Sequence, residues 1–193
     1  MKIILASKSG VRKKILDTNQ VDCEVCPSNV DEDEVKISLI SSGANPLSIS
    51  KNLAELKANK VSLKNPDRIV LGADSVIDFN GKLISKPKNR EEALNILIQL
   101  NGKEHKLISS VCISKNGSMI WNFTDTSSLM MKKLSLNEIK KYLSNVGDKE
   151  LFAYGVYQIE SGGRNLFSSI VGNEDSIMGL PIQQIKEYIK NLK

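Results

Sequence analysis

Ile69-Val70-Leu71-Gly72-Ala73-Asp74-Ser75 is the stretch on which the reading of the fold turns. Ile69 to Ala73 is a short apolar run that starts on two β-branched residues, the length and composition of a buried strand. Asp74 follows where that strand is expected to end, with Gly72 just before it. A carboxylate so placed reaches the working edge of a sheet instead of its core. Spacing alone reads the same aspartate equally well as the first residue of a turn.

On the N-terminal side, Lys2 to Ala6 reads as a first strand, Ser7-Lys8-Ser9-Gly10 as a polar turn, and Val11 to Asp17 as a helix carrying Ile15 and Leu16. Strand, short turn and helix in that order aim backbone N–H groups at an anion. A second helix covers about Pro46 to Leu63, with Ile49, Leu53 and Leu56 toward the core and Ala54 and Ala58 permitting close approach. Beyond Asp74, Phe79-Asn80-Gly81-Lys82 is a hairpin turn returning the chain toward Lys86-Pro87. A third helix runs from about Arg90 to Leu100 and stops at Asn101-Gly102. Two long strands follow, near Lys106 to Ser114 and Met119 to Lys132, and then Ser135 and Glu138 at capping-box spacing open a helix to about Asn145. Gly155 to Ile159 and Asn165 to Ile170 read as two strands around Gly162-Gly163, and Pro181 opens a last helix with Ile182, Ile185, Ile189 and Leu192 on one face. The alternation defines an α/β class: a mixed central sheet flanked by helices.

The 193 residues suffice for one core or two small lobes on one sheet, and no linker composition divides 1–193. With 40% hydrophobic and 25% charged residues, disorder and fibrous classes are excluded. The apolar start, Ile3 to Ala6, is far shorter than the roughly 20 residues of a membrane span, so the expectation is a cytoplasmic protein with no membrane partner. Cys23-Glu24-Val25-Cys26 alternates like a strand and has no second CxxC, so two ordinary strand cysteines are expected. A net charge of +5, from 27 basic and 22 acidic residues, favours an anionic ligand. Lysines spread over the whole length, with only 5% aromatics, argue against nucleic acid.

One histidine, His105, rules out a histidine metal cluster and reads as a structural or surface residue, not a general base. No GxSxG, Walker or GxGxxG motif occurs. What remains is small hydroxyls, cations and carboxylates at strand ends. Ser7, Ser9 and Arg12 surround the first helix N-terminus, where hydroxyls, free N–H groups and a guanidinium suit phosphate oxygens. Lys57 and Lys86 are placed to reach a polyphosphate, though composition alone reads both as solvated. Asp31-Glu32-Asp33-Glu34 is either a hard-cation site or a solvated acidic loop.

Taken in order, Leu5-Ala6-Ser7-Lys8-Ser9-Gly10-Val11-Arg12, Leu53-Ala54-Glu55-Leu56-Lys57-Ala58, Gly72-Ala73-Asp74-Ser75, Lys86-Pro87, His105 to Ser109 and Gly179-Leu180-Pro181 resemble the Maf family over essentially the whole chain. Six short matches in order are far more specific than any one. The resemblance implies a two-lobed α/β fold with a cleft, of the Maf and inosine triphosphatase kind, and hydrolysis of a nucleoside triphosphate to monophosphate and pyrophosphate. It also implies a divalent cation (Mg²⁺ or Mn²⁺) as cofactor and a possible homodimer. By position it implies Ser7, Arg12, Lys57 and Lys86 as phosphate ligands, and Asp74 as general base or as a group sharing the metal and the attacking water; Ser9 at the same helix N-terminus joins the phosphate ligands, and Glu32 of the acidic run is the second carboxylate for the metal. Metal dependence makes physical sense, because a carboxylate is ordinarily a weak base toward free water and a bound cation acidifies that water.

Gly10 and Val11 stand where the family pattern has proline and a first arginine, which removes one cation. Glu160 resembles the branch acting on 7-methyl-GTP, whereas Ser75 resembles the threonine of the dTTP and UTP branch. Val11, Ser75 and Glu160 therefore leave the base open. Two other readings stand beside this one: a Maf-like module that lost catalysis and serves regulation or nucleic-acid binding, and an inosine triphosphatase-like enzyme. Retention of Asp74, Lys57 and Lys86 speaks against the first, and the Leu-Ala-Ser opening against the second.

Overall fold

The computed structural model describes residues 1–192. Its seven strands form one sheet in the order β2 (Cys23–Val25), β1 (Ile3–Leu5), β3 (Val70–Phe79), β5 (Glu104–Lys115), β6 (Ser118–Met131), β7 (Phe167–Val171), with β4 (Lys82–Ile84) paired to β3. β1 runs parallel to β2 and β3, and every other pairing is antiparallel. The α/β expectation of a mixed sheet flanked by helices holds.

The long strands β3, β5 and β6 carry two hydrophobic cores. One lies against α1 (Gly10–Thr18) and α8 (Ile182–Asn191), and is centred on Ile3, Leu71, Ile113 and Ile185. The other lies against α4 (Arg90–Leu100), α5 (Leu136–Ser144) and α6 (Asp148–Tyr154), and is centred on Leu97, Leu129, Ile139 and Leu151. These are the two lobes of the expected fold, joined by continuous strands.

Period-two alternation along β3 decides which residue meets which helix. Gly72 and Asp74 face α3 (Pro46–Ser62); Leu71 and Ala73 face the α1 and α8 side. A Cβ on Gly72 would lie 2.2 Å from the Ala54 carbonyl oxygen and 2.7 Å from the Ala58 nitrogen. Ala54 and Ala58 thus allow α3 to press on the bare backbone of β3, as their size predicts.

Local chemistry accounts for the elements read correctly. Asn80 and Gly81 both have positive φ, 54° and 79°, and close the β3–β4 hairpin. Ser135 and Glu138 form a full capping box on α5. Other expectations need correction. β3 does not end before Asp74 but runs on to Phe79, so Asp74 is a mid-strand residue paired with Ser110. Leu56 is 39% exposed, because the face that α3 buries runs through Ile49, Leu53, Ala54, Ala58 and Val61, and Leu56 lies off it. Gly155 to Ile159 is not a strand: Val156, Tyr157 and Ile159 are all buried without a pairing partner, and a 3₁₀ turn (Gly162–Leu166) separates them from β7. The acidic run is not a loop. Asp31 is the N-cap of α2 (Glu32–Ser41), its carboxylate accepting from the Glu34 N–H at 3.0 Å. No helix among the described residues is long and apolar enough to cross a membrane.

Candidate active site

The sheet has a gap. β1 pairs with β3 only as far as Leu71, and β4 joins the same edge only from Ile77. Between them, Gly72 to Val76 have no strand neighbour on that side, and a cleft of about 440 Å³ opens there, within the range of small-molecule sites. The Ser7–Arg12 segment, the start of α2, Lys57 and the Tyr154–Glu160 segment wall it in. All ten residues singled out in the sequence line this one cleft: Ser7, Ser9, Val11, Arg12, Glu32, Lys57, Asp74, Ser75, Lys86 and Glu160.

On the α3 face, Lys57 sits between two carboxylates. Its Nζ is 2.8 Å from Asp74 Oδ1 and 2.8 Å from Glu32 Oε1. The solvated lysine that composition suggests is therefore a buried one. Desolvation pushes the Glu32 carboxyl upward, but the charge and hydrogen bond of Lys57, helped by Lys86 and Lys36, hold it at about 2. Asp74 is 4% exposed, and its Oδ2 is buried with no hydrogen-bond partner among the described residues. A buried carboxylate oxygen without a donor is costly, and here it borders the cleft.

On the α1 face, Arg12 ties three segments together. Nε donates to the Gly179 carbonyl at 3.1 Å, Nη1 to the Ala73 carbonyl at 3.0 Å and Ser7 Oγ at 3.3 Å, and Nη2 to Ser75 Oγ at 3.1 Å. Four of its five N–H donors are thus spent on the protein. Burial lowers the guanidinium below its ordinary value, with Asp74 and Glu32 opposing. Ser7 Oγ also accepts from the Ser9 N–H at 3.2 Å, which leaves its own O–H free to donate to an anion. Ser9 is the α1 N-cap, accepting from the Arg12 N–H at 3.3 Å. Ser75 Oγ shares a second hydrogen bond with Ser109 Oγ at 2.9 Å.

Lys86, Val11 and Glu160 line the cleft without such contacts. Desolvation by the cleft walls lowers Lys86, with Glu32 opposing, although its surface stays open to solvent. Lys36, one turn along α2 from Glu32, also lines the cleft and is 9% exposed. In the sequence its only signal is the four-residue spacing from Glu32.

His105 is not a cleft residue. It is 2% exposed in the second core, with Nε2 2.8 Å from the Tyr157 hydroxyl. Burial, opposed by Glu104, lowers its pKa to about 4, so of the two readings, structural or surface, it is the neutral structural one. The three cysteines are free thiols, two of them buried.

A gap in a sheet edge, with cations set around two carboxylates, defines an α/β protein whose pocket suits a polyanion. The chain belongs to the family described as Maf-like protein, whose model matches residues 2–192. It is 64% identical over 191 residues to a protein of Pelagibacter ubique (strain HTCC1062) named nucleoside triphosphate pyrophosphatase, covering 99% of this chain and 98% of the relative. It is 35% identical over 193 residues to a Brucella abortus biovar 1 (strain 9-941) protein named 7-methyl-GTP pyrophosphatase, covering 100% and 97%. Among solved structures, the Staphylococcus aureus Ham1 protein aligns over 100% of both chains at 13% identity with a TM-score of 0.48, a distant likeness.

Proposed function

We propose that this chain hydrolyses nucleoside triphosphates to the monophosphate and pyrophosphate, with a divalent cation and with Asp74 as the base. The names of the relatives support the reaction class. The observation that carries the assignment of Asp74 is its buried, unpartnered Oδ2 beside the cleft. Asp74 Oδ2 orients a water and takes its proton as the water oxygen bonds to the α-phosphorus; the bond to the α–β bridging oxygen breaks, and pyrophosphate leaves with that electron pair. Lys57 aims Asp74 through its hydrogen bond to Oδ1, while the Ser7 hydroxyl donates to phosphate oxygens.

The residues fit a divalent cation. No three His, Cys, Asp or Glu side chains cluster among the described residues, but Mg²⁺ needs only one or two carboxylates when substrate phosphates supply the rest. Glu32 would hold it, with the Asp74 carboxylate sharing the ion and the attacking water. Bound there, the ion would offset charge on the phosphates and acidify water.

For the base, Ser75 has its hydroxyl engaged by Arg12 and Ser109, whereas Glu160 is exposed on the cleft wall with two acceptor oxygens. That favours a guanine edge, which presents adjacent N–H donors, so 7-methyl-GTP is the substrate expected to lead. The test is pyrophosphate release from dTTP, UTP, CTP, ITP and 7-methyl-GTP, with Mg²⁺, with Mn²⁺ and with chelator. No release from any nucleotide sinks the enzyme reading. Undiminished release under chelator sinks the metal, and a lead for dTTP or UTP sinks the guanine preference alone.

A further inference from the structure

α2 is built against its own pattern. A helix packed on a globular protein turns its apolar stripe inward, yet the one residue α2 buries is Lys36, while Ile37 and Ile40 are 67% and 50% exposed. The Lys36 ammonium has little to hold. Its Nζ lies 3.7 Å from Glu32 Oε2, beyond hydrogen-bond reach, and it makes no hydrogen bond among the described residues. Glu32 is already paired with Lys57 at 2.8 Å. With the residue 9% exposed, the Lys36 stem is buried and its ammonium reaches solvent at the cleft, where three donors without a close protein acceptor are free for an anion.

The position says which anion. Lys36 lines the cleft and also an outer groove beside it, in a wall shared with Glu32 and Lys86. Of the four cleft cations compared, Arg12 and Lys57 are committed to protein acceptors, whereas Lys36 and Lys86 have no hydrogen bond among the described residues. We infer that Lys36 is a substrate-binding residue that holds the terminal phosphates of the nucleotide, and the pyrophosphate that leaves, where the cleft meets the outer groove. This rests on the triphosphate reading, and it assigns that end of the substrate to α2.

The test is calorimetric binding of inorganic pyrophosphate, and separately of a nucleoside monophosphate, to the full-length protein and to Lys36→Met and Lys36→Arg. Loss of the charge should weaken pyrophosphate binding at least tenfold and leave the monophosphate within twofold; arginine should restore most of the loss. A merely structural lysine would move both ligands together or neither, and either result overturns the inference, as does pyrophosphate binding unaffected by Lys36→Met. Should methionine prevent folding, Lys36→Gln carries the same comparison. Pyrophosphate binding needs no turnover, so a wild-type protein that binds it through Lys36 but hydrolyses no nucleotide refutes the proposed reaction and leaves this site standing.

Discussion

Lys57 Nζ and Asp74 Oδ1 stand 2.8 Å apart with side chains only 7% and 5% exposed, while the other Asp74 oxygen has no hydrogen-bond partner among the described residues. The pair is asymmetric by construction: one oxygen is held and the other is left for a ligand. Asp74→Asn keeps the shape and removes the base. Turnover should fall at least about a hundredfold, the lower end of what a positioned base contributes, with nucleotide binding changed only a few-fold. Comparable turnover in steady-state assays would take Asp74 out of the base role.

Removing Lys57 instead strands the buried carboxylate. Lys57→Met should lower stability by about 3–5 kcal/mol, as expected when one partner of a buried pair is lost. The double variant with Asp74→Asn should regain much of it, because the charge that needed pairing is gone. Urea unfolding of the four proteins measures the coupling, and additive losses would show that the pair is not coupled.

His105 makes stability depend on pH. Its pKa is lowered to about 4 in the fold, so between pH 6.5 and 4 the unfolded chain binds a proton that the native state refuses. Its contribution is complete above about 6.5 and is lost as pH falls toward 4, up to about 3 kcal/mol in all. Glu32, held at about 2, adds its own loss below 4.5. Urea unfolding between pH 4.5 and 7 should show a slope that His105→Phe flattens; an unchanged slope would contradict it.

Gly72→Ala tests how α3 sits on the sheet. The new methyl would collide with the Ala54 carbonyl and the Ala58 nitrogen, both rigid backbone. The cost should be about 1–3 kcal/mol of stability. Because α3 also carries Lys57, turnover should fall with it. A neutral result would mean that the helix moves away freely.

Legibility followed the range of the forces involved. Hairpin Asn80-Gly81, the Ser135 capping box and the limits of α4 depend on neighbours in the chain, and all were readable. α2 was not, because its outward Ile37 and Ile40 and inward Lys36 give no apolar stripe; the Asp31 and Glu34 spacing was the signal available. Asp74 was recognised as the important carboxylate but misplaced at a strand end. What carries β3 past it is pairing with β5, 36 residues away at Ser110, which no local pattern reveals.

By itself the sequence determined the residue types and their order: the hydroxyls before α1, the lysines, the aspartate after Gly72, and hence the family and the polyanion chemistry. Only the tertiary structure decided how they divide the work. Alternation along β3 sends Asp74 to Lys57 and Ser75 to Arg12 on opposite faces, and the unpaired stretch between β1 and β4 opens the cleft where both faces meet. Arg12, read in the sequence as a phosphate ligand, is a clamp whose donors are nearly all taken, and Lys36, unremarkable in the sequence, is left with donors to spare. Which donors are free depends on what long-range packing brings within about 3 Å, and a list of residues does not carry that distance.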